Sequence, residues 1–266
     1  AIIDEAHKQK LRVVAHIFAL EDAKGLLRAG VDGFAHGIRD KDVDSEIIGL
    51  FRVRPDVFVI PNLPDRGEPQ DYDWIADTVP AKEVQRLRDA DAKRSPEAAG
   101  GMRLAFAVQA SNLARLHDLG VRIGFGTDAG ASVGWTAHVE LEDMVRTGMS
   151  PAEVLVAATR TSAEILRLPQ LGTIAAGKSA DLVVLDANPL DDIRNTRRIA
   201  GVYIRGQEID RATLRNAWTG RYGRCEPQAS WKWPWTGSHT PPPALRSVVN
   251  EATPAAMAPI IAAPRI

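Results

Sequence analysis

Cys225 is the single cysteine in a chain of 266 residues. A disulfide framework and a multi-cysteine zinc centre are therefore excluded. A charge excess is also missing: 33 basic residues stand against 34 acidic ones, for a net charge of −1. Without a basic footprint, neither nucleic acid nor an anionic membrane surface is an expected partner. No run of about 18 apolar residues occurs, so no membrane-spanning helix is expected. The first residues show no basic n-region followed by an apolar h-region, so no signal peptide is read there. A Gly-rich phosphate loop is absent too, which argues against a sugar-phosphate barrel enzyme. Finally, a helix cap is missing. Ala1 to His7 reads as the middle of an amphipathic helix, the pattern expected if the chain is a piece of something longer.

What is present is a regular alternation, in a chain long enough for one large or two modest domains. Leu11 to His16 is a short apolar run ending at a histidine. A helix from Glu21 to Ala29 follows, closed by Gly30. Val31 to His36 is a second strand ending at a histidine, and a helix from Asp44 to Arg52 leads to Val57–Ile60, which ends at Pro61-Asn62. Residues 63–100 break the rhythm with a long polar stretch that reads as a lid or insertion, helical only from Ala81 to Lys93. Order returns with a helix from Gln109 to Leu119 and a strand from Val121 to Asp128. Next come a helix from His138 to Thr147 and a helix opened by Ser150-Pro151-Ala152-Glu153, a capping-box signature. Strand–helix repeats with short connections predict parallel strands and crossover helices.

After Leu171 the pattern becomes β: a strand from Asp181 to Asp186, then a hairpin of 199–204 and 207–209 around Arg205-Gly206. Eight of the seventeen prolines fall after Cys225, together with Trp231, Trp233 and Trp235. No periodicity occurs there.

His16, His36 and Asp128 share one position in this pattern, each closing an apolar strand. In a parallel α/β barrel such strand ends face one side, where active sites form. Two imidazoles and a carboxylate make a partial shell for Zn²⁺ or a similar divalent ion, and the carboxylate can take a proton from activated water. Asn62, at a strand end, and His138, opening the helix after Asp128, are candidates for substrate binding, with a turn role and a capping or surface role as their alternatives. Arg66, Tyr72 and Trp74 either contact a ligand or decorate the lid. His7 and His117 read as solvated, and Glu140 and Glu142 as a solvated or salt-bridged helix face.

The segments Ala15-His16, Phe34-Ala35-His36-Gly37 and Phe125-Gly126-Thr127-Asp128-Ala129-Gly130 resemble strands 5, 6 and 8 of the amidohydrolase superfamily. The stretch from Glu140 to Ala163 resembles the region after strand 8. Leu171-Gly172-Thr173-Ile174, Gly177 to Val183 and Asn188-Pro189-Leu190 resemble the return to that family's β-sandwich. The likeness is closest to its imidazolonepropionase-like and prolidase-like branch and covers about residues 1–210. It implies an α/β fold, a partial TIM-like (β/α)8 barrel (strands 5–8 with their helices) plus part of a small β-sandwich. The expected divisions are 1–170 for the half barrel and 171–222 for the partial sandwich. Residues 223–266 would be a Pro/Trp/Ala-rich tail, disordered or translated out of frame.

The resemblance further implies a metal-dependent hydrolase of C–N bonds in amides, cyclic amides or dipeptide-like small molecules. It would carry one or two divalent ions, zinc first. His16 and His36 match its metal ligands, and Asp128 matches the aspartate that binds metal and shuttles the proton. Compartment stays open between cytoplasm and periplasm or secretion, and oligomeric state is not indicated.

The family pattern also requires a His-x-His pair and usually a lysine that becomes carboxylated. No His-x-His exists in this chain. The expectation is that strands 1–4 precede Ala1, and that the fragment alone is inactive or keeps only the barrel architecture. Metal analysis of the purified chain is expected to show weak or substoichiometric binding. Tight stoichiometric zinc with hydrolytic turnover would contradict this.

Overall fold

Alternation of short apolar runs with amphipathic helices builds the first 165 residues. In the computed structural model, residues 1–129 and 134–217 and the backbone of 218–221 and 260–264 are described. Helix α1 (Ile2–Lys8) leads into β1 (Leu11–His16), where Val13 and Ala15 are buried. Next come α2 (Leu20–Ala29), β2 (Gly33–Ala35), α3 (Ser45–Arg52) and β3 (Phe58–Ile60). Then follow α4 (Ala81–Ala92), α5 (Pro96–Asp118), β4 (Arg122–Ile123) and α6 (Trp135–Arg146). Helix α7 (Pro151–Val156) continues through a π-helical turn at Ala157–Thr161 into α8 (Ser162–Ile165). The capping box is made as read: Ser150 Oγ accepts from the Glu153 N–H, and Glu153 Oε2 accepts from the Ser150 N–H at 2.8 Å.

Strands β1 to β4 are parallel neighbours, with Val14 opposite Gly33, Gly33 opposite Phe58 and Phe58 opposite Arg122. Gly33 is a close-approach site, because a Cβ there would lie 2.4 Å from the Phe58 ring. The core between sheet and helices includes Val13, Phe34, Ile47, Leu113 and Met144. Among the described residues the sheet is open, in the order β4-β3-β2-β1 with β8 (Ile260–Pro264) on the outer edge of β1, so closure into a barrel is not seen.

Three expectations change here. The strand expected from Val121 to Asp128 pairs only at Arg122–Ile123, because the glycines at 124 and 126 pack against Ile60 and Asn62 outside the ladder. Helix α5 starts at Pro96, well before Gln109, capped by Ser95 Oγ on the Ala98 N–H. The cap and Pro96 at the first helical position outweigh the propensity cost of Gly100-Gly101. Strand β8 (Ile260–Pro264) lies in what reads as an unstructured tail. It pairs antiparallel with β1, Leu11 opposite Pro264 and Ala15 opposite Ile260. The outer edge of β1 otherwise presents unpaired backbone groups, and an apolar segment satisfies them. The rest of that tail, 222–259 and 265–266, lies outside the described residues.

The second sheet is antiparallel: β5 (Leu182–Leu185), β6 (Ile199–Ile204) and β7 (Gln207–Glu208). Arg205 and Gly206 both have positive φ, 52° and 79°, as a two-residue hairpin turn requires. Helix α9 (Arg211–Arg221) follows.

Helix α5 also fixes the loop that follows His36. Buried Asn112 accepts from the Val43 N–H at 2.8 Å and donates to the Ile38 and Lys41 carbonyls at 2.9 and 2.8 Å. Asn112→Ala strands these backbone groups, and a loss of about 3 kcal/mol is expected in urea unfolding. A change below about 0.5 kcal/mol would contradict that role.

Candidate functional site at the strand ends

The parallel register brings the sequence candidates to one edge of the sheet. His16 closes β1, His36 follows β2, Asn62 follows β3 and Asp128 lies beyond β4. The His16 and His36 rings lie 4.9 Å apart between centroids. His36 Nε2 is 3.6 Å from Asp128 Oδ2. The His36 N–H donates to the Ile60 carbonyl at 2.9 Å, which ties the end of β2 to that of β3. The Phe18 ring lies 5.1 Å from the His36 ring, tilted against it.

The backbone at this edge is unusual. His36, Asn62 and Asp128 have φ of 67°, 43° and 46°. Non-glycine residues seldom adopt this left-handed region, and such conformations collect where a structure holds side chains for a task. Gly126 makes room for the arrangement, since a Cβ there would sit 2.9 Å from Asn62 Oδ1.

His36 is buried, and burial lowers its imidazole below the ordinary histidine range against the opposing pull of the Asn62 backbone. Its Nδ1 makes no hydrogen bond, nor does the buried Asn62 Oδ1. A neutral imidazole with a free nitrogen, beside a second imidazole and a carboxylate, suits a divalent cation in donor chemistry. The shell is open, however. Among the described residues no group of three or more His, Cys, Asp or Glu side chains is gathered tightly enough to hold an ion. Asp128 is two-thirds exposed.

His138 lies elsewhere. Its Nδ1 meets Thr196 Oγ1 at 3.0 Å, and its ring stands edge-on to Trp74 at 5.6 Å. With Trp74, Trp135 and Arg197 it lines a cleft of about 1440 Å³ between the α4 region and the second sheet. Arg197 stacks on Trp74 and pairs with Glu142.

Other readings need correction. Tyr72 is buried with Ile75 and Val84, so it is core. Arg66 pairs at 2.9 Å with the buried Asp143. His7 is not merely solvated, because its Nε2 lies 2.8 Å from Asp32 Oδ2. Glu140 is buried, with both oxygens on the Leu63 N–H. The signal for Glu140 was its position four residues before Met144, on the inward stripe of α6. Gln109, buried and donating to the Pro61 carbonyl at 2.6 Å, had no comparable signal.

Comparison with known proteins follows the same lines. A family model described as "Amidohydrolase family" matches residues 1–209. The chain is 31% identical over 193 residues to an uncharacterised protein of Mycobacterium tuberculosis, covering 71% of this chain and 45% of that protein. A crystal structure from Bifidobacterium longum, provisionally described as a prolidase, superposes with a TM-score of 0.59 and 33% identity. It covers 79% of this chain and 49% of that one. A Xaa-Pro dipeptidase with methionine bound in its active site gives 0.57 and 25%, covering 78% and 47%. The chain thus spans about half the length of the relatives it matches.

Burial shifts the titration of His138 and Asp143. It lowers His138 from 6.5 to about 4, helped by Arg197, and raises Asp143 from 3.8 to about 7 against the pull of Arg66. As pH falls from 6.5 to 4 the unfolded chain protonates His138 before the folded one does, so His138 costs stability over that window. Asp143 acts oppositely: its folded form keeps a proton longer, and stability falls as pH rises from 3.8 to 7. His138→Phe keeps a ring against Trp74 and removes only the first effect. Its loss of stability between pH 6.5 and 4 is expected to be smaller than the wild type's by up to about 3 kcal/mol. Parallel unfolding curves across that range would contradict the burial argument.

Proposed function

The chain belongs to the amidohydrolase family, and from that membership we propose that the protein carrying it is a metal-dependent hydrolase of C–N bonds in small molecules. The reacting centre would be the strand-end group His16, His36 and Asp128. The observation that supports this reading is the nearness of its three residues at one sheet edge, with the His16 and His36 rings 4.9 Å apart and His36 Nε2 3.6 Å from Asp128 Oδ2.

A divalent cation, zinc first, held by the two imidazoles and the carboxylate would polarise the scissile carbonyl and lower the pKa of water towards neutrality. The protein's own residues divide the remaining work. His16 and His36 present their ring nitrogens side by side, and the Phe18 ring packs on His36. Asp128, exposed towards the open side, accepts a proton at its carboxylate and returns it to the leaving nitrogen. Asn62 offers a buried amide oxygen without a partner, suited to orient an N–H of the substrate. The prolidase-type relatives favour dipeptide-like amides, with cyclic amides next, as substrates.

A second reading treats the chain as a non-catalytic module that keeps the architecture alone. The open ligand shell among the described residues favours it. Hydrolysis separates the two. The gene product containing this chain is expected to cleave members of a panel of Xaa-Pro dipeptides, N-acyl amino acids and cyclic amides, and to stop when a chelator is added. Asp128→Asn is expected to reduce the rate by about 10²- to 10⁴-fold. Turnover unchanged by that substitution would remove Asp128 from the chemistry, and no cleavage by the metal-loaded protein would favour the second reading.

A further inference from the structure

Glu140 is a carboxylate deep in the structure that the proposed chemistry does not use. It sits on α6, is 5% exposed, and has no cation paired with it among the described residues. Its interaction is instead with a backbone group 77 residues away: the Leu63 N–H donates to Oε1 at 3.1 Å and to Oε2 at 3.0 Å. Burying a carboxyl for the sake of one N–H is costly, and burial does push its pKa well up, with Asp143 adding to the effect and the Leu63 N–H opposing it. Such a placement calls for a function in the segment that is gripped.

That segment is Pro61-Asn62-Leu63, held on three sides. Gln109, 1% exposed on α5, donates through Nε2 to the Pro61 carbonyl at 2.6 Å and reaches the Asn62 carbonyl at 3.5 Å. Gly37, next to His36, lies so close to Gln109 that a Cβ would come within 2.8 Å of the Gln109 side chain. The Ile60 carbonyl just upstream accepts the His36 N–H. Between these anchors Asn62 is kept at φ 43°, a conformation it would leave readily if released.

We infer that Glu140 is a positioning residue of the strand-end site. With Gln109 it clamps the Pro61–Leu63 turn in the left-handed form that sets Asn62 beside His36. The inference rests on the reading of His16, His36 and Asp128 as the ligand site. It adds two residues outside the donor set, acting from helices α5 and α6 through the backbone of one turn.

The test uses the whole chain with Glu140→Ala, Glu140→Gln and Gln109→Ala. Two readouts are taken under conditions where each variant is folded: amide hydrogen exchange at Leu63, and Co²⁺ binding followed by paramagnetic broadening of the His16 and His36 ring protons up to millimolar Co²⁺. In Glu140→Ala, Leu63 exchange is expected to speed up at least tenfold while core amides such as Phe34 stay unchanged, and Co²⁺ affinity is expected to fall about tenfold. Glu140→Gln keeps one acceptor for the Leu63 N–H and is expected to retain both properties within about threefold. Should Glu140→Ala not fold, Gln109→Ala releases the same turn from α5 and is expected to weaken Co²⁺ binding similarly. If wild type shows no Co²⁺ effect at His16 and His36, the ligand-site reading fails, and the clamp itself is still judged by Leu63 exchange. Uniform acceleration of all core amides in the alanine variants, or unchanged Leu63 exchange, overturns the inference. So does Co²⁺ affinity that follows global stability and is not rescued by glutamine.

Discussion

Four short parallel strands ending level with one another are the constraint on which the rest of this structure depends. Because β1 to β4 are parallel and in register, residues at 16, 36, 62 and 128 leave the sheet from one edge. No local sequence feature brings His16 within ring contact of His36, or Asp128 within 3.6 Å of it. The convergence comes from backbone hydrogen bonding between strands, and a slip of one residue would turn His16, the candidate inside a strand, to the other face. The site is therefore as precise as the register, which is fixed in turn by apolar residues such as Val13 and Phe34 packed under the helices.

Level strand ends are not sufficient, because chain leaving a sheet tends to wander. Here the helices hold it. Asn112 on α5 fixes the loop after His36 by three hydrogen bonds to backbone groups. Gln109 on the same helix and Glu140 on α6 hold the turn after β3. Ser162, at the start of α8 after the π-helical turn, accepts from the Phe125 N–H at 3.0 Å and so supports the path from β4 to Asp128. Each of these side chains satisfies main-chain groups that would otherwise be left unpaired in a buried place. The polar interior thus shapes the site without adding ligands to it.

How far the sequence revealed this follows from the range of each interaction. The strands leading to His16, His36 and Asn62 were legible, because apolar runs ending in a polar residue are a local pattern, whereas Asp128 was read at a strand end and lies five residues past β4. The capping box at Ser150 was legible for the same reason. Gln109, Glu140 and His7 were misread or passed over because their partners lie 48, 77 and 25 residues away, where no spacing rule reaches. The start of α5 was hidden behind Gly100-Gly101, which look like a break until Ser95 is seen to cap the helix. Strand β8 could not be read at all, since its pairing with β1 spans nearly the whole chain. His138 was read by its nearness in sequence to Asp128. The fold instead turns it towards Thr196 and Trp74.

The most direct measurement is a titration of the purified chain with Zn²⁺, monitored by long-range ¹H–¹⁵N correlation of the histidine rings. If the strand ends form one cation site, His16 and His36 respond together, with a single apparent affinity, and Asp128→Asn weakens both responses. His7, His117 and His138 stay unmoved over the same range. Shifts spread evenly over all the histidines, or His16 and His36 silent or responding with different affinities, would contradict the convergence on which the functional reading stands.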